Sequence, residues 1–241
     1  VDWYLADPRR KPQLVVPLFD EVAPRYDRFT RLFSLGQDAR WKKWIVERLT
    51  SLVPSGGIVL DVACGTGDLA LAVAQKRQDV TVVALDPSLC MLKGAARRIH
   101  ALQVRNVTLV RGDIDNLPFR DASFDAVSGG YAVRNAPCWQ GALSSLARIL
   151  RSGGQLLTLD FYLPSSPVWA RIFLAYLRIA GNAVGWWWHR QPLVYGYIAR
   201  SIAHFTSAAG LATELKARGF AVEEHARHLG GAIALHRARK R

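Results

Sequence analysis

The stretch Val59–Ala72, VLDVACGTGDLALA, constrains this chain more than any other. An apolar run meets an acid, passes through a tight turn holding two glycines, and enters a helix-forming run. That order predicts a strand, a turn and a helix. Gly65 and Gly67 accept backbone angles that other residues resist, and their missing Cβ atoms leave room for a ligand at the turn. A helix beginning near Asp68 aims its first free N–H groups at the same place. The order then recurs: Asp86 closes a second apolar run, TVVALD, and Asp113 closes a third, VTLVRGD. Acids ending three successive strand-like segments predict an α/β sheet that binds a nucleoside.

The turn departs from the dinucleotide fingerprint, Gly-x-Gly-x-x-Gly with a pyrophosphate on the helix N-terminus. It reads Asp61-x-x-x-Gly65-x-Gly67, with Asp68 directly after. Carboxylates on both sides repel a pyrophosphate but suit the sulfonium and ammonium groups of S-adenosylmethionine, which favours that methyl donor over NAD. Asp61, Ala63, Gly65, Thr66 and Gly67 are then the donor turn. Asp86 accepts from the two ribose hydroxyls, as one ionised carboxylate can. Pro87 and Met91 border the adenine. Asp113 accepts from the adenine amino group while the Ile114 N–H reaches a ring nitrogen, and Asp115 is left to solvent.

A length of 241 residues, half of them hydrophobic, suits a single domain with a sufficient core. Cys64, Cys90 and Cys138 have no C-x-x-C spacing, which points to free thiols in a reducing compartment. No metal signature occurs, and no apolar run reaches the ~18 residues of a membrane span. The net charge of +13 and pI near 10.2 favour an anionic partner, either nucleic acid or a lipid surface.

Residues 1–17 read as a loose basic arm and 18–55 as two helices in front of the sheet, Trp41 and Trp44 being core. Residues 56–161 form the donor-binding core. The loop Gly129–Asn135 follows the fourth strand, where ligands sit in open α/β sheets. In the helical cap 162–210, Trp169, Ile172, Phe173, Tyr176, Leu177 and Ala180 read as one face, with Arg171 and Arg178 on another. Trp186–Trp188, His189 and Arg190 suit either an interfacial helix or a packed lid. Residues 211–241 give a helix, an antiparallel hairpin and a basic tail from Arg237. The expected fold is α/β and Rossmann-like: a seven-stranded, mostly parallel sheet with a terminal antiparallel hairpin, an N-terminal helical layer and a cap between strands five and six.

These motifs resemble the C-methyltransferases of ubiquinone and menaquinone biosynthesis, the UbiE/MenG type. The resemblance rests on Phe19-Asp20-x-x-Ala23-x-x-Tyr26-Asp27, Leu60–Asp68, Arg134-Asn135 and Tyr195-x-Tyr197-Ile198-x-x-Ser201, and covers roughly residues 18–240. It implies methylation of a ring carbon of a demethylated polyprenyl quinol at an anionic membrane surface. The expected setting is cytoplasmic and peripheral to that membrane, without metal, with nucleic acid disfavoured and a homodimer admissible. Arg134 is the expected cation for a phenolate. Tyr26 and Asp27 would hold or relay the quinol proton, and Asn135 would position Arg134 or the donor. His189 and His204 are candidate bases. Thr30, Asp38-Ala39 and Arg190-Gln191 depart from the family pattern in substrate-facing segments, which leaves the acceptor ring open.

Overall fold

The structure, a computed structural model, describes residues 1–23, 30, 34, 36–189 and 193–241, with side-chain environments for all of these except 180–195. Seven strands form one sheet: β1 (Ile58–Val62), β2 (Thr81–Asp86), β3 (Val107–Arg111), β4 (Phe124–Gly130), β5 (Leu150–Phe161), β6 (Phe220–His228) and β7 (Ile233–Lys240). Their spatial order is β3-β2-β1-β4-β5-β7-β6. β1 pairs in parallel with β2 and β4, whereas β7 runs antiparallel to both β5 and β6. The strand order reverses between β1 and β4. In open α/β sheets the ligand crevice lies at such a point, beyond the carboxyl ends of the strands.

Alternate residues of β1 feed opposite faces of the sheet, as strand geometry requires. Leu60 and Val62 join Leu85, Val127 and Leu156 beneath α6 (Trp139–Ile149) and α9 (Ala208–Ala217). Val59 joins Val82, Ala84, Ala126 and Leu157 beneath α3 (Gln37–Leu52) and α4 (Asp68–Lys76). With both faces covered, the parallel strands are near-continuous apolar runs. α5 (Leu89–Ala101) follows β2, capped by Ser88, whose Oγ accepts from Met91 N at 3.0 Å.

Two expectations are corrected at the ends of the chain. The basic arm is instead helical, as α1 (Asp2–Leu5) and α2 (Lys11–Val22). Pro12 opens α2, where its missing N–H costs nothing, and Val15 and Val22 are buried. Arg9 and Arg10 pair with Asp7 instead of reaching for a partner. The basic tail is likewise the body of β7. Arg237 pairs with Glu223 and Glu224 on β6, both at 2.6 Å, and Arg239 pairs with Glu223 at 2.7 Å. β5 begins at Leu150 and runs through Gly153, at φ +80°. The cap is α7 (Pro167–His189) followed by α8 (Leu193–Ala203). Phe173 and Leu177 of α7 are buried while Ile172 and Tyr176 are exposed, so they do not share one face.

Candidate active site

The donor turn is held by its own acids. Gly65 and Gly67 adopt φ +55° and +87°, and Gly67 caps α4. Asp61 is buried at the end of β1; it accepts from Ser128 Oγ at 2.7 Å and from Ala70 N, in the first turn of α4, at 3.2 Å. Burial pushes its carboxyl up to about 7, against the pull of those two hydrogen bonds. Asp86, buried at the end of β2, accepts from Ser88 N and Gly65 N, both at 2.8 Å. Burial raises it to about 6, and Asp20 and Asp113 add to the rise. Asp20, on α2, accepts from Ser88 Oγ.

Two clefts meet at this turn. One is lined by Ala63, Gly65, Asp86, Pro87, Met91, Asp113, Ile114 and Asn135, and roofed by Pro12, Val15, Val16 and Phe19 of α2. The other is lined by Asp61, Ala63, Gly65, Thr66, Asp68 and Lys42. Ala63, Gly65, Gly130 and Tyr131 belong to both. The first has the chemistry for an adenosine: an acid at each strand end, an apolar floor and a backbone N–H at Ile114. The second offers two carboxylates and one ammonium, which complements the zwitterionic end of S-adenosylmethionine. In Asp68, burial opposes ionisation, but Lys42 and Arg98 outweigh it and hold the carboxyl low. These residues therefore fit that donor.

A third cavity, about 550 Å³, opens beside the first cleft. Phe19, Tyr131 and Asn135 line both. Its other walls are mainly apolar: Leu18, Val22, Trp41, Phe161, Phe173 and Leu177. Trp41 is thus both buried and a cavity wall. Tyr131 stands where all three spaces meet, in the left-handed region at φ +60°, an uncommon conformation for a residue other than glycine. Its hydroxyl donates to Asp38 Oδ1 at 2.7 Å. Lys42 bridges Asp38 at 2.8 Å and Asp68 at 2.9 Å. A continuous polar chain therefore connects the large cavity to the donor turn.

Arg134, the expected cation, borders the large cavity as one half of a buried pair. Its Nε lies 3.2 Å from Asp160 Oδ1 and its backbone N donates to Asp160 Oδ2 at 2.9 Å. Nη1 donates to Ser201 Oγ. Nη2 has no protein partner among the described residues. Asn135 serves as a clasp: its carboxamide donates to Tyr131 O and accepts from Tyr197 OH, both at 2.8 Å. It thus ties the loop to α8, and neither of these bonds goes to the Arg134 side chain.

Lys11 completes the loop from the other side. Its buried Nζ donates to Arg134 O at 2.8 Å and Ala136 O at 2.5 Å. Burial, helped by Arg134, pushes the ammonium down to about 8. Lys11→Met would strand two buried carbonyls, costing about 1–3 kcal/mol. It would also loosen α2 from above the adenosine cleft. We expect a lower denaturation midpoint and weaker donor binding by calorimetry. Unchanged donor affinity would show that α2 does not seat the donor.

Every expected donor residue except Gly67 lines one of the two clefts, and Gly67 acts through the helix cap. Tyr26 and Asp27 lie outside the described residues, as does the His189 side chain. His204 is exposed, bonded to Arg200 O, and borders no cavity described here. Asp115 is not solvated: its Oδ2 accepts from Cys138 N at 2.7 Å. Sequence reasoning gave no role to Lys11, Asp38, Ser128, Tyr131 or Asp160. Asp160 carried a usable signal, since it nearly closes the apolar run LLTLDF as Asp61, Asp86 and Asp113 close theirs.

The ubiE/COQ5 methyltransferase family matches residues 8–240. A demethylmenaquinone methyltransferase of Listeria monocytogenes is 33% identical over 227 residues, covering 94% of this chain and 95% of that protein. Another, of Lactiplantibacillus plantarum, is 35% identical over 221 residues, covering 91% and 92%. Among solved structures, a SAM-dependent methyltransferase from Thermotoga maritima superposes with a TM-score of 0.62 at 20% identity, over 94% of this chain and all of that one (100%). One from Aquifex aeolicus gives 0.59 at 16% identity, over 82% and 88%. The chain is thus an S-adenosylmethionine-dependent methyltransferase and belongs to the ubiE/COQ5 methyltransferase family.

Proposed function

We propose that the acceptor is a demethylated polyprenyl quinol, with demethylmenaquinol as the first candidate, methylated on a ring carbon next to a ring hydroxyl. The observation that carries this reading is the apolar cavity of about 550 Å³ that adjoins the donor cleft at a neck of Phe19, Tyr131 and Asn135, two of which carry polar groups. A polar ring head suits the neck and an isoprenoid tail suits the cavity. The names of the curated relatives point to the same acceptor.

S-adenosylmethionine supplies a methyl group on a positively charged sulfur. The protein's part is alignment and charge control. Much of the rate in such a transfer comes from holding the reacting atoms in line. The donor turn and the aromatic neck fix the two halves. A ring carbon attacks well only when its neighbouring hydroxyl gives up its proton. Tyr131 OH, held by its hydrogen bond to Asp38, lines both the donor cleft and the cavity and orients that hydroxyl. Arg134 Nη2 stabilises the resulting oxyanion. Asp160 keeps the Arg134 fork in one orientation. α2, α7 and Phe161 exclude water. Tyr26 and Asp27 remain proposed proton handlers. We place the protein at a membrane surface, where such an acceptor resides.

The test is methyl transfer from labelled S-adenosylmethionine to demethylmenaquinol, a demethyl benzoquinol, a short phenol and RNA. Label in a quinol supports the reading and chooses the ring. Label in the short phenol alone, or in RNA alone, overturns it.

A further inference from the structure

Helix α7 is apolar on two opposite sides. At 100° per residue, Ala170, Phe173 and Leu177 point one way, and all three are buried. Val168, Ile172, Tyr176 and Ile179 fall within an arc of about 80° on the other side. They are 66%, 54%, 50% and 73% exposed. This second stripe runs about 16 Å along the helix. A helix apolar all round is ordinarily buried all round, and contiguous exposed apolar surface marks an interaction site. Nothing in the described chain covers this one.

Two observations say what does. Arg171 and Arg178, both exposed, lie along one side of the stripe, and residues 167–189 contain no acid at all. The stripe also runs into the mouth of the acceptor cavity. Tyr176 belongs to both, and Leu229, 55% exposed, lines the cavity on the facing turn. Trp169 of α7 holds that turn, its Nε1 donating to Leu229 O at 2.9 Å. The surface is thus apolar, cationic at its edge and continuous with an apolar hole.

We infer that the outer face of α7 docks flat on an anionic lipid surface and that the acceptor enters the cavity directly from the bilayer, between Tyr176 and Leu229. An apolar stripe with a basic edge and no acids is what an interfacial helix presents to anionic lipid. The alternative of a second copy is less well served. A two-fold interface opposes the same patch on both copies, which brings the arginine edges of like charge together. The inference rests on the lipid-tailed acceptor proposed above for its entry route, but the docking itself can be tested without any acceptor.

The experiment uses the full chain and vesicles of phosphatidylcholine with and without phosphatidylglycerol, read by co-sedimentation. Wild type should bind the anionic vesicles and release at high salt. I172D/I179D should lower that partition by at least about tenfold, because each replaces buried apolar surface with charge. R171E/R178E should lose the preference for anionic lipid. Neither pair lines the cavity, so turnover of a short-tailed, water-soluble quinol should be unchanged, while turnover of a long-tailed quinol in vesicles should fall with binding. Wild type that ignores anionic vesicles overturns the docking, as do variants that bind like wild type. So does a wild-type dimer in sedimentation velocity that I172D/I179D dissolves. Failure of wild type to methylate the short-tailed quinol would instead strike the acceptor assignment and leave the vesicle result standing.

Discussion

Asp160→Ala is expected to lower the unfolding free energy by about 3–5 kcal/mol and to abolish turnover. The carboxylate is 1% exposed and the Arg134 side chain 4%, so removing the acid leaves a guanidinium buried without its counter-charge. Burial pushes the Asp160 carboxyl upward, and the Arg134 charge together with the N–H groups of Arg134 and Phe161 opposes that rise. Replacing both partners should behave differently. Arg134→Met with Asp160→Leu removes both charges and their desolvation cost together, so stability should recover in part, short of wild type because the N–H groups of Arg134 and Phe161 lose their acceptor. Turnover should not recover, since Arg134 Nη2 is the proposed oxyanion partner. Chemical denaturation and a methyl-transfer assay on the three proteins separate the roles. Stability within about 0.5 kcal/mol of wild type for Asp160→Ala would mean the pair contributes no more than a surface contact. Turnover in the folded double variant would remove Arg134 from the chemistry.

The donor half of this protein was legible because each residue there carries a local signal. Asp61, Asp86 and Asp113 each end an apolar run, and strand geometry then puts all three at one edge of one sheet. Gly65 and Gly67 announce the turn, and Ser88 announces the cap of α5. Such signals are short in range, and the parallel α/β fold converts them into neighbours by repetition.

The acceptor half depends on contacts distant in sequence. Asp38 and Tyr131 are 93 positions apart, and Lys11 meets the backbone of Arg134 across 123. No spacing in the sequence links them. Lys11 looked solvated because Arg9, Arg10 and Lys11 form one basic run, but two of its members are engaged by Asp7 and the third turns inward. Trp169, Ile172, Phe173, Tyr176 and Leu177 keep the three- and four-residue spacings of one helix face, yet the set is wide enough to span two sides. In a helix, neighbours differ by 100°, and one face faces the fold while the other faces outward.

Asp86→Ala should weaken S-adenosylmethionine binding by roughly two orders of magnitude, and Asp61→Asn by roughly one. Asp86 accepts two backbone N–H bonds that shape the turn, and hydrogen bonds to a charged group are worth about 1.5–3 kcal/mol each. Since about 1.4 kcal/mol is tenfold in affinity, losing the turn geometry and the proposed ribose acceptor together accounts for the larger effect. Asp61→Asn keeps an acceptor for Ala70 N and a partner for Ser128, so its loss is chiefly the charge proposed to face the donor ammonium. The same acids set a pH dependence. Burial raises both, Asp61 to about 7 and Asp86 to about 6, from an ordinary 3.8. The native free enzyme therefore holds more protons than the unfolded chain between those values, so its own stability falls as pH rises from about 4 to 7. Donor affinity moves the opposite way. The cationic donor prefers both acids ionised, so binding expels protons, and affinity rises through pH 6–7 before levelling. Calorimetric titration in buffers of different ionisation enthalpy reads the proton release directly. Asp61→Asn should remove the part of the release centred near 7 and spare the part near 6. A donor affinity flat from pH 5.5 to 8 in wild type would show that neither acid meets the donor as an ionising group.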